Sequence, residues 1–168
     1  MTAIDLRLAC ETDLVAINDI YNHYVLHSTC TYHIDPISLD ERRAWFAAHD
    51  AVHPVTVALR GQTIVGWGSL STYHDRSGYR FTVENSVYVH PDFHRQKIGH
   101  TLLADLLARA RALGHHTIIA GIGAEQTASI ELHRRFGFVD AGRIHQVGFK
   151  FDQWLDVVYL QKMVGDGS

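Results

Sequence analysis

Cysteine is nearly absent from this chain: Cys10 and Cys30 are the only two in 168 residues, and no Cys-x-x-Cys spacing occurs. A disulfide scaffold is therefore not expected, and two reduced thiols in a cytoplasmic protein are. Also missing are a charged-then-apolar leader and any long apolar run, so no membrane span is expected. A basic excess is missing as well. With 15 Lys and Arg against 18 Asp and Glu, the net charge is −3, which argues against a general nucleic-acid surface. Histidine is abundant at 13 residues, but no His-Glu-x-x-His motif occurs, and His115 and His116 would point to opposite sides of a strand. No metal is expected. Internal repeats, linkers and low-complexity segments are lacking too, apart from a soft tail at 165–168. What remains suits one domain over 1–168, since 46% hydrophobic content at this length supports a sizeable core.

Within that domain, Ile4, Leu6 and Leu8 alternate with Asp5 and Arg7, as in a half-buried strand. A helix follows from Thr12-Asp13, carrying Leu14, Ile17, Ile20, Tyr21 and Tyr24 at helical spacing. After the aperiodic segment 27–32 and Pro36, the pair Ser38 and Glu41 has capping-box spacing for a second helix with Leu39, Trp45 and Phe46. Residues 55–59 and 63–68 flank Gly61-Gln62 as a hairpin, in which Gly66 and Gly68 mark a bend or close packing. Residues 71–79 read as a polar loop, with a long strand beginning at Arg80. Gly114 closes the next helix, and 117–122 is an apolar strand. A short helix over 128–136, closed by Gly137, precedes two last strands near 142–149 and 155–163.

The centre of the chain is the stretch 84–103. Val87 and Val89 face one side of a strand and Ser86 and Tyr88 the other, while Leu102, Leu103, Leu106, Leu107 and Ala110 repeat at helical spacing. The turn His94-Arg95-Gln96-Lys97-Ile98-Gly99 must therefore end at a helix N-terminus. Unpaired N–H groups and the positive end of the helix dipole make that a natural phosphate site.

This order of strand, basic turn, helix, strand, helix and Gly-Phe resembles the acetyl-CoA-binding core of the GCN5-related N-acetyltransferases. It is most similar to their phosphinothricin and methionine sulfoximine/sulfone branch. The closer likeness rests on Thr82-Val83-Glu84-Asn85-Ser86-Val87-Tyr88-Val89, Leu132-His133-Arg134-Arg135-Phe136-Gly137-Phe138, Val147-Gly148-Phe149-Lys150 and Trp154-Leu155-Asp156-Val157. The resemblance covers nearly the whole chain. It implies an α/β (α+β) fold with a mixed, mostly antiparallel sheet flanked by helices. It also implies acetyl-CoA as cosubstrate, a small amine as acceptor and a homodimer.

Residue by residue, the resemblance places the cofactor against Val87, Tyr88 and Val89, with backbone amides near Val87 and Val89 meeting the pantetheine. Arg95, Gln96, Lys97, Gly99 and His100 would meet the pyrophosphate. Gln126 stands where an asparagine is frequent. The signature departs from the family pattern at His94 and at Lys97, which occupies the place of its first glycine. If that position requires positive φ, lysine costs about 1–2 kcal/mol.

Glu84 is the candidate base for an acceptor ammonium, and His133 the candidate acid or base near the thioester sulfur. Arg76 and Tyr79 precede the strand and are candidates for the acceptor carboxylate, to which a guanidinium can bind in bidentate fashion. Lys150, Trp154 and Asp156 read as structural. Two alternatives stay open. One is acetylation of a protein or peptide amine, which the lack of a long acidic or flexible docking segment disfavours. The other is a non-catalytic acyl-CoA sensor, which would need neither Glu84 nor His133.

Overall fold

A computed structural model describes residues 3–165. Seven strands form one sheet: β1 (Asp5–Leu8), β2 (Val55–Arg60), β3 (Thr63–Thr72), β4 (Thr82–Val89), β5 (Thr117–Gly123), β6 (Val139–Lys150) and β7 (Gln153–Met163), in the order β1-β2-β3-β4-β5-β7-β6. Only β4 and β5 pair in parallel; the other contacts are antiparallel. The expected mixed, mostly antiparallel sheet is thus present. All of the soft tail beyond Gly165 lies outside the described residues.

Helices cover both faces. On one lie α1 (Leu14–His27) and α2 (Leu39–Ala47), where Leu14, Ile17, Ile20 and Val25 pack with Val55, Val57 and Trp67. Ser38 caps α2 as its spacing predicts: its Oγ accepts the Glu41 N–H at 3.2 Å, and its own N–H donates to Glu41 Oε2 at 2.7 Å. On the other face lie α3 (Ile98–Ala112) and α4 (Thr127–Arg135), where Leu103, Leu106, Ala110 and Ile130 pack with Leu70, Val83, Ile118 and Leu160. Among the described residues no helix is long and apolar enough to cross a membrane.

The two glycines of β3 serve close packing. A Cβ on Gly66 would lie 2.9 Å from Tyr88 O and 3.1 Å from both Ile98 Cγ2 and Leu102 Cδ1. Their absence lets α3 lie directly on the sheet, which sets the height of the turn that precedes it.

The central strand starts later than its sequence suggests, at Thr82. Ser77–Tyr79 forms a 3-10 turn whose following residue, Arg80, keeps helical dihedrals (φ −57°, ψ −20°), so the extended run cannot begin there. The last strands run longer than expected. Between Ile144 and Gly148 the β6–β7 register breaks, and Asp156 fills the break by accepting the Gln146 N–H at 2.8 Å and the Arg143 Nη2 at 2.7 Å. Lys150, at 2% exposure, donates from Nζ to the carbonyls of Ser28 and Thr31, both at 2.8 Å. Its role is structural, but as a buried tie to the segment between α1 and α2 rather than as a turn residue.

Candidate active site

The site begins where the sheet comes apart. The parallel ladder between β4 and β5 covers only Thr82, Val83 and Glu84, opposite Thr117, Ile118 and Ile119. From Ala120 onward β5 pairs only with β7, while β4 continues to Val89 with β3 alone. Leu70 N–H donates to Pro54 O at 3.0 Å, so the polar groups of Leu70 face β2 and those of its register partner Asn85 face the opening. The same alternation turns the amides of Val87 and Val89 into the opening and those of Ser86 and Tyr88 toward β3. Two of the three expected cofactor contacts therefore stand on a free edge. Tyr88 does not: its amide belongs to the ladder, and its ring stacks on Trp67 at 4.8 Å on the α1–α2 face. Tyr24 Oη donates to Val89 O at 2.5 Å and accepts from His94 Nε2 at 2.6 Å, which fixes the far end of the edge.

The turn beyond it is strained in two places. Arg95 (φ 60°) and Lys97 (φ 63°) are both left-handed, and Lys97 is the N-cap of α3. The first-turn amides of α3, from Ile98, Gly99 and His100, have no partners within the helix. Arg95 and Lys97 are exposed beside them. This is a backbone concavity suited to a pyrophosphate. Gly99 is not required by the protein's own packing, since an added Cβ would approach nothing closer than 3.5 Å. Of the remaining turn residues, Gln96 accepts from Arg60 Nη1 at 2.5 Å, and His100 packs on Phe136 at 4.7 Å. Lys97→Gly should relieve the left-handed strain and raise stability by about 1 kcal/mol. Acetyl-CoA affinity by calorimetry should stay within about threefold, because the backbone amides remain; a loss of tenfold or more would show that the ammonium itself holds the phosphate.

At the fork itself stands Glu84. Its carboxylate is partly buried, faces Gly121 of β5, and makes no hydrogen bond or ion pair among the described residues. Burial pushes its pKa above the usual carboxylate range, weakly opposed by His74. A carboxylate with no donor bound to it and a raised pKa is a better proton acceptor than an ordinary surface glutamate.

His133 lies on the opposite face of β4, 3% exposed. Its Nδ1–H donates to Ser129 O at 2.8 Å, and its Nε2 accepts from Asn85 Nδ2 at 2.9 Å. Burial lowers its pKa, so it is a neutral ring with both nitrogens occupied. Asn85 was not foreseen. Its Oδ1 is buried with no partner, an acceptor left over beside the opening. A polar residue alternating with Val83 and Val87 on an otherwise apolar face was the readable signal.

The two residues expected at the acceptor share one 3-10 turn, in which the Tyr79 N–H donates to Arg76 O at 2.9 Å. Arg76 is exposed in the loop after β3, and Tyr79, 39% exposed, packs against Tyr73 and His74. Gln126 is the N-cap of α4 and donates to Thr29 Oγ1 at 3.2 Å. A cleft of about 360 Å³ does lie on the α1–α2 face, walled by Tyr21, Ile37, Arg42, Trp45, Trp67 and Tyr88, with Ser86 at its floor. Ser86 is two residues along β4 from Glu84 and on the same side of the strand. Arg42 was also missed, although its position three residues from both Leu39 and Trp45 puts it on the inner face of α2. Among the described residues no three His, Cys, Asp or Glu side chains gather as a metal site.

The sequence profile described as the acetyltransferase (GNAT) family matches residues 17–138. An L-amino acid N-acyltransferase, MnaT, of Escherichia coli is 39% identical over 159 residues, covering 94% of this chain and 92% of its own. Phosphinothricin N-acetyltransferase of Alcaligenes faecalis is 40% identical over 168 residues, covering 99% and 85%. The crystal structure of a phosphinothricin acetyltransferase from Sinorhizobium meliloti in complex with acetyl-CoA superposes with a TM-score of 0.95 at 37% identity, covering 100% of this chain and 91% of that one. The residues present here fit such a cosubstrate: Asn85 Oδ1 has no partner, the amides of Val87 and Val89 face the opening, and the first-turn amides of α3 follow the same strand.

Proposed function

Because this chain belongs to the acetyltransferase (GNAT) family, with acetyl-CoA as cosubstrate, we propose that it acetylates the α-amine of a small amino-acid-like acceptor. The acceptors would be of the phosphinothricin, methionine sulfoximine or methionine sulfone type, and the amine would attack directly in a ternary complex. One observation carries this reading: Glu84, an unpaired carboxylate with raised pKa, stands where β4 and β5 part, two residues before Ser86 of the cleft and three before the free amide of Val87.

Acetyl-CoA supplies the activated acetyl group. In this proposal the amides of Val87 and Val89 and the Asn85 amide oxygen hold its pantetheine, and Arg95, Lys97 and the α3 amides hold its pyrophosphate. Amides aimed at the thioester oxygen stabilise charge as it develops there. Glu84 takes the proton from the acceptor ammonium, leaving a neutral amine able to attack. Holding both partners in one cleft supplies orientation without a covalent intermediate. Arg76 and Tyr79 serve the acceptor carboxylate from the loop. His133 fixes Asn85, and reaches a departing thiolate only when the Asn85 bond opens.

A homodimer in a cytoplasmic setting belongs to the same proposal. The β6–β7 hairpin leaves Val139, Val147, Phe149, Phe151 and Trp154 at least half exposed, an apolar surface suited to a second copy. A thiol-release screen with acetyl-CoA and a panel of amines tests the activity. Release with L-phosphinothricin, methionine sulfoximine or methionine sulfone is expected; release only with peptides, or with no amine, would overturn the proposal.

A further inference from the structure

Arg42 is 2% exposed and has no acidic partner among the described residues. Its Nε donates to Asn18 Oδ1 at 3.2 Å, and its Nη2 is buried with no partner at all. Its guanidinium carbon sits 4.6 Å from the ring centres of both Tyr21 and Trp45, and 5.6 Å from that of Trp67. Trp67 is also buried, at 2%, and its Nε1 too has no partner. The one carboxylate lining the same cleft, Glu41, is held by the Ser38 N–H and hydroxyl at 2.7 Å each and does not neutralise Arg42.

Each feature alone has a structural explanation, since cation–π contacts hold an arginine among aromatic rings. Together they do not. A buried guanidinium left without a counter-charge is costly, and so is a buried donor left without an acceptor. Here two donor-only groups, one of them a full cation, are orphaned on adjacent walls of one cleft. Arginine and indole can only donate, so what completes them must accept, and the uncompensated charge requires it to be an anion.

We infer that Arg42 and Trp67 form a subsite for an anionic, multi-oxygen group carried at the distal end of the acceptor, away from its amine. The α-carboxylate is the wrong candidate. It sits one carbon from an amine that must meet Glu84, whereas Ser86 and Tyr88 of the cleft lie two and four residues further along β4, some 7–13 Å away. A group several bonds from the amine spans that distance. A phosphinate fits in charge and shape, and a neutral sulfone fits only in shape. This inference rests on the amino-acid acetyltransferase reading and adds a preference within it.

The test compares L-phosphinothricin with L-methionine sulfone. The parent enzyme should favour the phosphinate in kcat/KM. Arg42→Gln should lower kcat/KM for the phosphinate about 10- to 100-fold more than for the sulfone, the usual cost of losing a charged hydrogen bond. Trp67→Phe, which keeps an aromatic ring but removes the donor, should shift the same ratio about 3- to 10-fold. KM for acetyl-CoA and the melting temperature identify a variant that has simply lost its fold, and Arg42→Lys then supplies the comparison. A parent that prefers the sulfone, or variants that leave the ratio where it was, would overturn the subsite. Should the parent release no thiol with either amino acid, the proposed activity falls, and equilibrium binding of L-phosphinothricin read by tryptophan fluorescence still decides. Binding that weakens in Arg42→Gln supports the subsite, and equal binding refutes it.

Discussion

Glu84→Gln is expected to lower turnover roughly 10²- to 10⁴-fold near neutral pH, with acetyl-CoA affinity within about threefold of the parent. The glutamine keeps the size of the side chain and removes only its capacity to accept a proton. An amine that loses its proton to solvent needs no base, so the deficit should shrink as pH rises and free amine accumulates. A loss that stays constant with pH would assign Glu84 a structural role instead.

The same substitution carries a stability signature of known sign. Burial raises the Glu84 pKa, so the folded protein disfavours the carboxylate. Below the ordinary carboxylate pKa of about 4.3, folded and unfolded chains are both protonated and the substitution should be nearly neutral. As pH climbs through the raised folded pKa, the parent acquires the full penalty of a buried charge and the glutamine variant does not. The melting temperature of Glu84→Gln should therefore gain on that of the parent between acid and neutral pH. A variant that loses stability over that range would show that the carboxylate is satisfied by its surroundings.

Lys150→Met is expected to cost about 2–5 kcal/mol, because it leaves the buried carbonyls of Ser28 and Thr31 without donors at about 1–3 kcal/mol each. For a chain of this size that is roughly 5–15 °C in melting temperature. The damage should be directional. Lys150 holds the segment that carries Thr31, whose hydroxyl lies 2.6 Å from Tyr21 Oη in the wall of the cleft proposed for the acceptor. KM for the amino acid should accordingly rise more than KM for acetyl-CoA. A change below about 0.5 kcal/mol would mean that water replaces the ammonium at little cost.

Periodicity made much of this molecule legible. The alternation of Val87 and Val89 with Ser86 and Tyr88 placed the central strand, and the leucines from 102 to 107 placed the helix after it. Ser38 and Glu41 marked a helix start because the capping box is a local interaction, complete within four residues. What stayed hidden was set by partners distant in sequence. Tyr88 stands among the expected cofactor contacts by resemblance, and alternation shows which way its side chain points but not which neighbour its amide meets; that depends on the β3 register. Nothing local reveals that Tyr21 and Trp67 enclose Arg42. His133 is expected as an acid or base near the thioester sulfur, and the Asn85 amide that occupies its Nε2 stays hidden because it comes from a residue 48 positions away. The positive φ at Lys97 could be posed from the signature as a condition, and only the backbone resolved it.

The fork between β4 and β5 also bears on how this protein keeps to itself. Free strand edges normally lie at the rim of a sheet, where they invite other chains to add on, and proteins blunt them with charge, proline or bulges. Here an open edge lies in the middle of seven strands, and Asn85, Val87 and Val89 carry no such gatekeepers. Its position does that work. Another polypeptide would need room for side chains on both faces of the sheet, yet α3 and α4 cover one face and α1 and α2 approach the other. A slender, unbranched chain bearing its own amides has no such requirement and can pair with the strand from within. An edge enclosed on both faces is withheld from other chains, so a backbone ladder left open at the centre of the sheet carries less of the aggregation hazard it would carry at the rim.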